Sequence, residues 1–280
     1  MDISDNLRGR LQASIAEDLG SEDITTTSCV PTAVKGNAIV VAKATGVLCG
    51  VDVFSEVFRL LDPMVKLIWN KHDGNLLQPG DRCLTIRGSL RSILLAERTG
   101  LNFLQHLSGI STITSRYVEK VSHTKTRILD TRKTIPLWRD LQKHAVRTGG
   151  GYNHRQGLFD MFLIKENHIA AAGGIGNAIE KTLQYRKQIG SEFPIEIEVR
   201  NLDELTQTLD YSFDRVMLDN MSLVEMKRAV ELVRGRCEIE ASGGVNLETV
   251  TGIAETGVDF ISVGSLTHSV SALDLSLLIE

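Results

Sequence analysis

Long apolar runs are missing from this chain. None approaches the ~20 residues that a membrane helix needs. The opening residues, MDISDNLRGRLQAS, lack the apolar core of an export signal. The expectation is a cytoplasmic protein with no membrane partner. Cysteine is also scarce. The four present, Cys29, Cys49, Cys83 and Cys237, are widely scattered, and no CxxC pair occurs. All four are expected as buried free thiols rather than disulfides or zinc ligands. A basic excess is lacking too. The net charge of -4 argues against nucleic acid as the main partner.

What is present is an uneven charge. Between His123 and His168 there are nine Lys/Arg against four acids, a net of +5, which leaves -9 for the remainder. A local basic centre in an acidic chain suits a small anionic ligand, because a cleft of one sign focuses its field on what it binds. Lys143 and Arg147 are read instead as part of a solvated helix face.

The chain changes rhythm near its middle. Early segments such as VKGNAIVVAKATGVLCG, MVKLIWN and DRCLTIRG read as short strands bounded by Gly, Asp and Asn, among the helical stretches LRGRLQASIAEDL and GVDVFSEVFRLLD. Ser89 is a plausible N-cap for a long apolar-periodic helix, expected to break near Ser108-Gly109 and restart at Ser111. From about Lys125 the pattern becomes strand, loop, helix, repeatedly. The strands are RILD (127–130), MFLIK (161–165), PIEIEV (194–199), RVMLD (215–219), CEIEA (237–241) and FISVG (260–264). Their later ends fall 20 to 23 residues apart. Such a compact repeat implies parallel strands with right-handed crossovers. Six units suit an incomplete TIM-like barrel, with a doubly wound sheet as the structural alternative.

In both architectures ligands bind at the carboxyl ends of the strands. There the sequence places Asp130-Thr131-Arg132-Lys133, Lys165, Glu198, Asp219, Ser242-Gly243-Gly244 and Gly264-Ser265. Glu196 and Glu198 alternate with Ile195, Ile197 and Val199, and Glu238 and Glu240 alternate likewise. A parallel strand covered by helices has no solvent face. Function is favoured for Glu198 and Asp219, and pairing with basic neighbours for Glu196, Glu238 and Glu240. GGGYNHRQGLFD leads three glycines straight into His154 and Arg155, which a flexible loop alone would not explain.

DTRKT, GGGYNHRQGLFDMFLIKENH, EIEVRN, MLDNM, EASGGV and VGSLTHS occur in this order and spacing. Together they resemble the quinolinate phosphoribosyltransferase family, and AERTGLNFLQHLSGIST and EDLGSEDITT extend the resemblance over nearly the whole chain. The resemblance implies an α/β protein with an N-terminal α+β sandwich domain (1–110), an incomplete TIM-like barrel (111–269) and a tail (270–280) returning to the sandwich. It implies phosphoribosyl transfer from phosphoribosyl pyrophosphate to quinolinate, giving nicotinate mononucleotide, pyrophosphate and CO2, with magnesium. It further implies a homodimer or higher assembly with shared sites. Arg132, His154, Arg155 and Lys165 match substrate-binding positions. Lys133 matches one near the donor, and Thr131 lies between Asp130 and Arg132 in the same motif. Arg98 matches an arginine that reaches the partner's site. Glu198 and Asp219 match acids near the donor ribose and magnesium, held directly or through donor or water. Ser242, Gly243, Gly244, Val263, Gly264 and Ser265 match the 5′-phosphate loops. Lys133, Lys165, Glu198 and Asp219 are the expected catalytic set.

Two departures from the family pattern lie beside these positions. Where the family commonly reads DTRKTTPGLR, this chain has Ile135, Leu137 and Trp138; where Gly-Asp is usual, it has Glu22-Asp23. Three rival functions compete: a relative acting on another ring substrate, a Schiff-base aldolase using Lys165, and a non-catalytic phosphosugar-binding protein. The complete cation set favours a dicarboxylate over the first.

Overall fold

The computed structural model describes residues 3–280. The elements run α1 (Asp5–Leu19), α2 (Ile24–Cys29), β1 (Lys35–Ala42), β2 (Gly46–Val47), α3 (Val51–Leu61), β3 (Lys66–Trp69), β4 (Leu76–Leu77), β5 (Arg82–Ser89) and α4 (Leu90–Val121). Then follow β6 (Arg127–Leu129), α5 (Arg139–Thr148), β7 (Phe162–Ile164), α6 (Glu166–Ala172), α7 (Ile175–Gln188), β8 (Ile195–Val199) and α8 (Leu202–Thr208). The last are β9 (Arg215–Asp219), α9 (Leu223–Val233), β10 (Glu238–Ser242), α10 (Val250–Ala254), β11 (Phe260–Ser262), α11 (Ser265–His268) and β12 (Leu275–Ile279). Two compact units emerge. One comprises Met1–Ser115, Leu141–Gly150 and Ser269–Glu280, the other Arg116–Asp140 and Gly151–His268. Among the described residues no helix is long and apolar enough to cross a membrane.

The first unit carries an antiparallel sheet in the order β12-β1-β5-β3 and a small β2-β4 pair. β12 pairs with β1 from Ala38–Ile279 to Ala42–Leu275. α3 buries Val53, Phe54, Val57 and Phe58, residues three and four apart on one face. Phe54 stacks on Phe58 at 4.8 Å and meets the Trp69 ring edge-on at 5.5 Å, which ties this helix to β3.

The second unit is a six-stranded parallel sheet in the order β6-β11-β10-β9-β8-β7. From β7 to β11 neighbours follow chain order, and β6 then joins beyond β11. A doubly wound sheet would reverse direction at a switch point, and none occurs here. β6 and β7 do not pair with each other, so the barrel is incomplete.

Three expectations are corrected. α4 does not break at Ser108-Gly109; it is one helix of 32 residues. A Cβ on Gly109 would lie 2.3 Å from the Ser271 carbonyl oxygen, so the glycine admits a close-packed strand of backbone. Ser108 Oγ accepts the Cys49 N–H at 2.9 Å and donates to the Cys49 carbonyl. Small residues that read as a breaker therefore serve packing. Lys143 is 1% exposed, not on a solvated face, whereas Arg147 is exposed. Cys29 is exposed; Cys49 and Cys83 are buried, Cys237 is half-buried, and all four are free thiols. α2, α6, the two-residue β4 and β12 have no separate signature in the sequence reading.

Candidate active site

Because all six strands run in parallel, their carboxyl ends share one rim. In spatial order that rim presents the loop after β6 with Thr131, Arg132 and Lys133, then Gly264-Ser265 after β11 and Ser242-Gly243-Gly244 at the end of β10. Asp219 closes β9, Glu198 lies at the end of β8, and Lys165 follows β7. Ser242 lies directly opposite Asp219 in the strand register.

The glycine-rich segment is laid beside the first strand. Tyr152 donates its N–H to Ile128 O at 2.8 Å, and Asp130 returns a bond to Tyr152 O at 3.1 Å. Asp130 is fully buried, and its Oδ1 accepts the His154 N–H at 2.9 Å. This fixes where His154 and Arg155 enter the barrel. Arg139, at the start of α5, bonds Thr134 Oγ1 and the Gln156 and Arg132 carbonyls, so it ties the DTRKT loop to the NHRQG loop. Asp160 accepts the Gln156 and Gly157 N–H groups at 2.6 and 2.9 Å. Neither Arg139 nor Asp160 stands out in the sequence, because the partners of both are main-chain or loop groups rather than a recognisable motif.

His154 is buried. Its Nε2 lies 2.9 Å from Glu196 Oε2 and 3.4 Å from Glu240 Oε2, and both carboxylates are fully buried. The contacts are of ion-pair length, though their angles fall off the ideal hydrogen-bond line. Arg215 completes the cluster. It reaches Glu240 at 3.1 Å and Glu238 at 2.8 Å and stacks over the Phe260 ring at 3.9 Å. Glu196, Glu238 and Glu240 thus pair with basic neighbours. Burial opposes a charged imidazole, but the two carboxylates outweigh it and lift the His154 pKa to about 9. The Arg155 N–H works the other way. It donates into Nδ1 at 2.7 Å, so a doubly protonated ring would have to turn this amide aside. Geometry therefore places the ring proton on Nε2, between the carboxylates. Burial and then the charge of Glu240 push Glu196 up to about 7, whereas His154 and Arg215 outweigh burial and draw Glu240 down.

Above this cluster stand the cations. Burial, then the neighbouring charge of Arg132, lower the Arg155 pKa. Nε and Nη1 of Arg132 are buried and have no hydrogen-bond partner among the described residues. Orphaned buried donors on a cation are costly unless an acceptor meets them. Lys165 Nζ is ion-paired with Glu198 Oε2 on the adjacent strand. That contact engages the nitrogen a Schiff base would need, which disfavours an aldolase role.

The loops on the far side of the rim are tightly built. Gly243 has φ +89, and a Cβ there would sit 2.2 Å from Asn220 Oδ1. Only glycine admits this approach. Gly264 passes over Lys133, whose Cδ would lie 3.1 Å from an added Cβ. Thr267 Oγ1 donates to the Lys133 carbonyl at 2.7 Å, and the buried Val263 donates its N–H to Leu129 O. Leu137 adopts φ +64, the left-handed region, at the position where the family's commoner pattern has glycine. Arg98 belongs to the first unit, exposed on α4 beside half-buried Leu94 and buried Leu101.

Comparison with known proteins agrees with this architecture. Residues 23–108 match the model of the quinolinate phosphoribosyl transferase N-terminal domain, and residues 110–278 match that of its C-terminal domain. The chain belongs to the quinolinate phosphoribosyltransferase family. It is 42% identical to the chloroplastic nicotinate-nucleotide pyrophosphorylase [carboxylating] of Arabidopsis thaliana, over 98% of this chain and 83% of that one. It is 39% identical to the probable nicotinate-nucleotide pyrophosphorylase [carboxylating] of Bacillus subtilis, over 97% and 92%. The solved nicotinate-nucleotide pyrophosphorylase of Francisella tularensis superposes with a TM-score of 0.94 at 44% identity, covering 99% of this chain and 96% of that one.

Proposed function

We infer that the chain transfers the phosphoribosyl group of phosphoribosyl pyrophosphate to quinolinate and releases CO2, forming nicotinate mononucleotide and pyrophosphate. The observation that carries this reading is half-buried Arg132 beside Arg155 at the carboxyl rim of the barrel, with Nε and Nη1 buried and unpartnered among the described residues. Quinolinate brings two adjacent carboxylates, and arginine forks bind carboxylates bidentately. Arg132 and Arg155 take the carboxylates, and Lys165 stands at the neighbouring strand end. His154, with both ring nitrogens turned toward protein partners, fixes the height and direction of the adjacent Arg155 rather than offering a free nitrogen.

On the donor side, Ser242–Gly244 and Val263–Ser265 form the 5′-phosphate cradle, with backbone N–H groups as the donors. Lys133, with Thr131 Oγ1 accepting its backbone N–H at 3.0 Å, reaches for the pyrophosphate. The ring nitrogen of quinolinate attacks the anomeric carbon as the bond to pyrophosphate breaks. CO2 then leaves C2, the bonding pair stays on C2 as a carbanion stabilised by the adjacent quaternised nitrogen, and a proton from solvent takes its place to give nicotinate mononucleotide. Positive charge grows at the anomeric carbon, and Glu198 and Asp219 stand at neighbouring strand ends to stabilise it or hold ribose hydroxyls. Their oxygen-only donor set fits magnesium. Glu198 is held by Lys165, so Asp219 is the residue to face the ion, directly or through water or donor. Magnesium bound there would neutralise the pyrophosphate oxygens. Arg98 completes the reading as a residue given to a second copy's site, which makes the working unit a homodimer or larger.

Purified protein given quinolinate, the phosphoribosyl donor and magnesium should produce nicotinate mononucleotide, and chelation should stop it. Pairing an Arg98→Ala variant with a Lys165→Ala variant, each inactive alone, tests the shared site. Recovered activity after subunit exchange supports it. No recovery despite demonstrated exchange places Arg98 outside the partner's site.

A further inference from the structure

The first unit holds a second cluster of ligating side chains that the reaction does not use. Cys49 precedes α3, Asp73 sits in the loop between β3 and β4, and His144 lies on α5. His144 Nε2 is 3.1 Å from Asp73 Oδ2, and Cys49 Sγ is 3.9 Å from the same oxygen. All three ligand atoms lie within 4.8 Å of one another.

We propose that Cys49, Asp73 and His144 form a binding site for a thiophilic divalent metal, with zinc the ion that fits best. In a tetrahedral zinc site, bonds of about 2.0–2.3 Å place neighbouring ligand atoms about 3.3–3.6 Å apart. The measured spacings bracket that range, so an ion needs only small side-chain shifts. The carboxylate is already oriented for the task. Asp73 Oδ1 accepts the N–H groups of Gly50 and Val51 at 2.9 and 3.0 Å, which leaves Oδ2 turned toward sulfur and imidazole. Pinning one oxygen from outside is the way metal-binding carboxylates are normally held. Cys49 is fully buried, while the side chains of His144 and Asp73 are 17% and 24% exposed. An ion can therefore enter from the His-Asp side and keep a water as fourth ligand.

The donor set selects the ion. Thiolate, imidazole and one carboxylate suit zinc, cobalt or nickel, whereas magnesium prefers oxygen ligands alone. The site is thus chemically distinct from the one at Glu198 and Asp219. Its role is structural. It would add a cross-link between the start of α3, the β3–β4 loop and α5. Without an ion, burial and the nearby Asp73 charge push the thiol up to about 12, so metal binding must displace its proton.

The test uses the full-length chain, stripped with a strong chelator, in a Cys29→Ser background that removes the exposed thiol. Cobalt(II) should bind at one equivalent per chain and give a thiolate-to-cobalt charge-transfer band with tetrahedral visible absorption. Zinc should abolish the band, and millimolar magnesium should leave it. Zinc at a hundredfold excess over its dissociation constant should raise the melting temperature by about 5 °C or more. Cys49→Ser should lose the band and His144→Ala should weaken binding at least tenfold, while Cys83→Ser should behave as wild type. Circular dichroism of each variant establishes that it is folded. If Cys49→Ser does not fold, His144→Ala decides the matter. Absence of the band in folded wild-type protein, or its survival in Cys49→Ser, would overturn the proposal.

Discussion

Glu196→Gln should make the protein gain stability relative to wild type as pH rises past neutral, although it removes half of a buried ion pair. Glu196 is fully buried beside Glu240, and its pKa rises from 4.5 to about 7. A group whose folded pKa is raised contributes stability that is present below its unfolded pKa and lost as pH climbs through the folded one. The window here runs from pH 4.5 to about 7. A rise of that size corresponds to about 3 kcal/mol, the ceiling on what ionising Glu196 costs. The amide side chain of the variant cannot ionise and keeps the shape. The substitution loses a favourable contact to His154, worth about 1–2 kcal/mol. Relative to wild type, the variant should therefore be slightly less stable at pH 5 and equal or more stable at pH 7.5. Across that interval its advantage should grow by up to about 3 kcal/mol, or several degrees in melting temperature for a chain of this size. Thermal melts at both pH values, with far-ultraviolet circular dichroism, read this directly. Identical pH slopes for variant and wild type would refute the account of Glu196 as an acid raised by burial and by Glu240.

Other perturbations address the rim itself. Arg132→Met should raise the KM for quinolinate by about 10- to 100-fold, the loss of one or two charge-assisted bonds; initial rates at saturating donor measure it. Asp219→Ala should depress kcat by at least 100-fold while quinolinate binding, followed by calorimetry, stays nearly unchanged. Gly243→Ala places a methyl against Asn220 at a backbone conformation that costs about 1–2 kcal/mol even without the clash, and should weaken the phosphoribosyl donor without altering quinolinate affinity. Leu137→Gly relieves a left-handed leucine, a gain of about 1 kcal/mol that the greater unfolded-state freedom of glycine largely cancels; its melting temperature should stay within about 3 °C of wild type.

Much of the second unit is readable because its chemistry repeats. Strand ends at 199, 219, 241 and 264 and the alternation of Glu196 and Glu198 with Ile195, Ile197 and Val199 are local patterns, and local patterns survive in one dimension. Parallel order puts these strand ends on one rim, but the register that sets Ser242 opposite Asp219 needs the structure. What escapes depends on what lies across from a residue. Gly109 reads as a breaker until the backbone at Ser271 is known to pass it. Lys143 looks like one more cation on an amphipathic helix, and nothing nearby in sequence shows that its face is buried. β4 has two residues, too few for a period. Cys49, Asp73 and His144 are separated by 24 and 71 positions, so no spacing rule connects them. At Leu137 the left-handed backbone is hinted at only by the glycine usual there in the family, since leucine itself rarely adopts it.

The central claim is that the rim of the barrel is built for a pyridine dicarboxylate. It is tested most directly by comparing quinolinate with nicotinate as ribosyl acceptors under saturating donor and magnesium. A site that pairs a second carboxylate leaves buried cations unmatched when that group is missing, and discrimination can then reach ~10⁴-fold. The account predicts that kcat/KM for quinolinate exceeds that for nicotinate by at least a thousandfold, with one CO2 released per nicotinate mononucleotide formed. Comparable turnover of the two acids would contradict it.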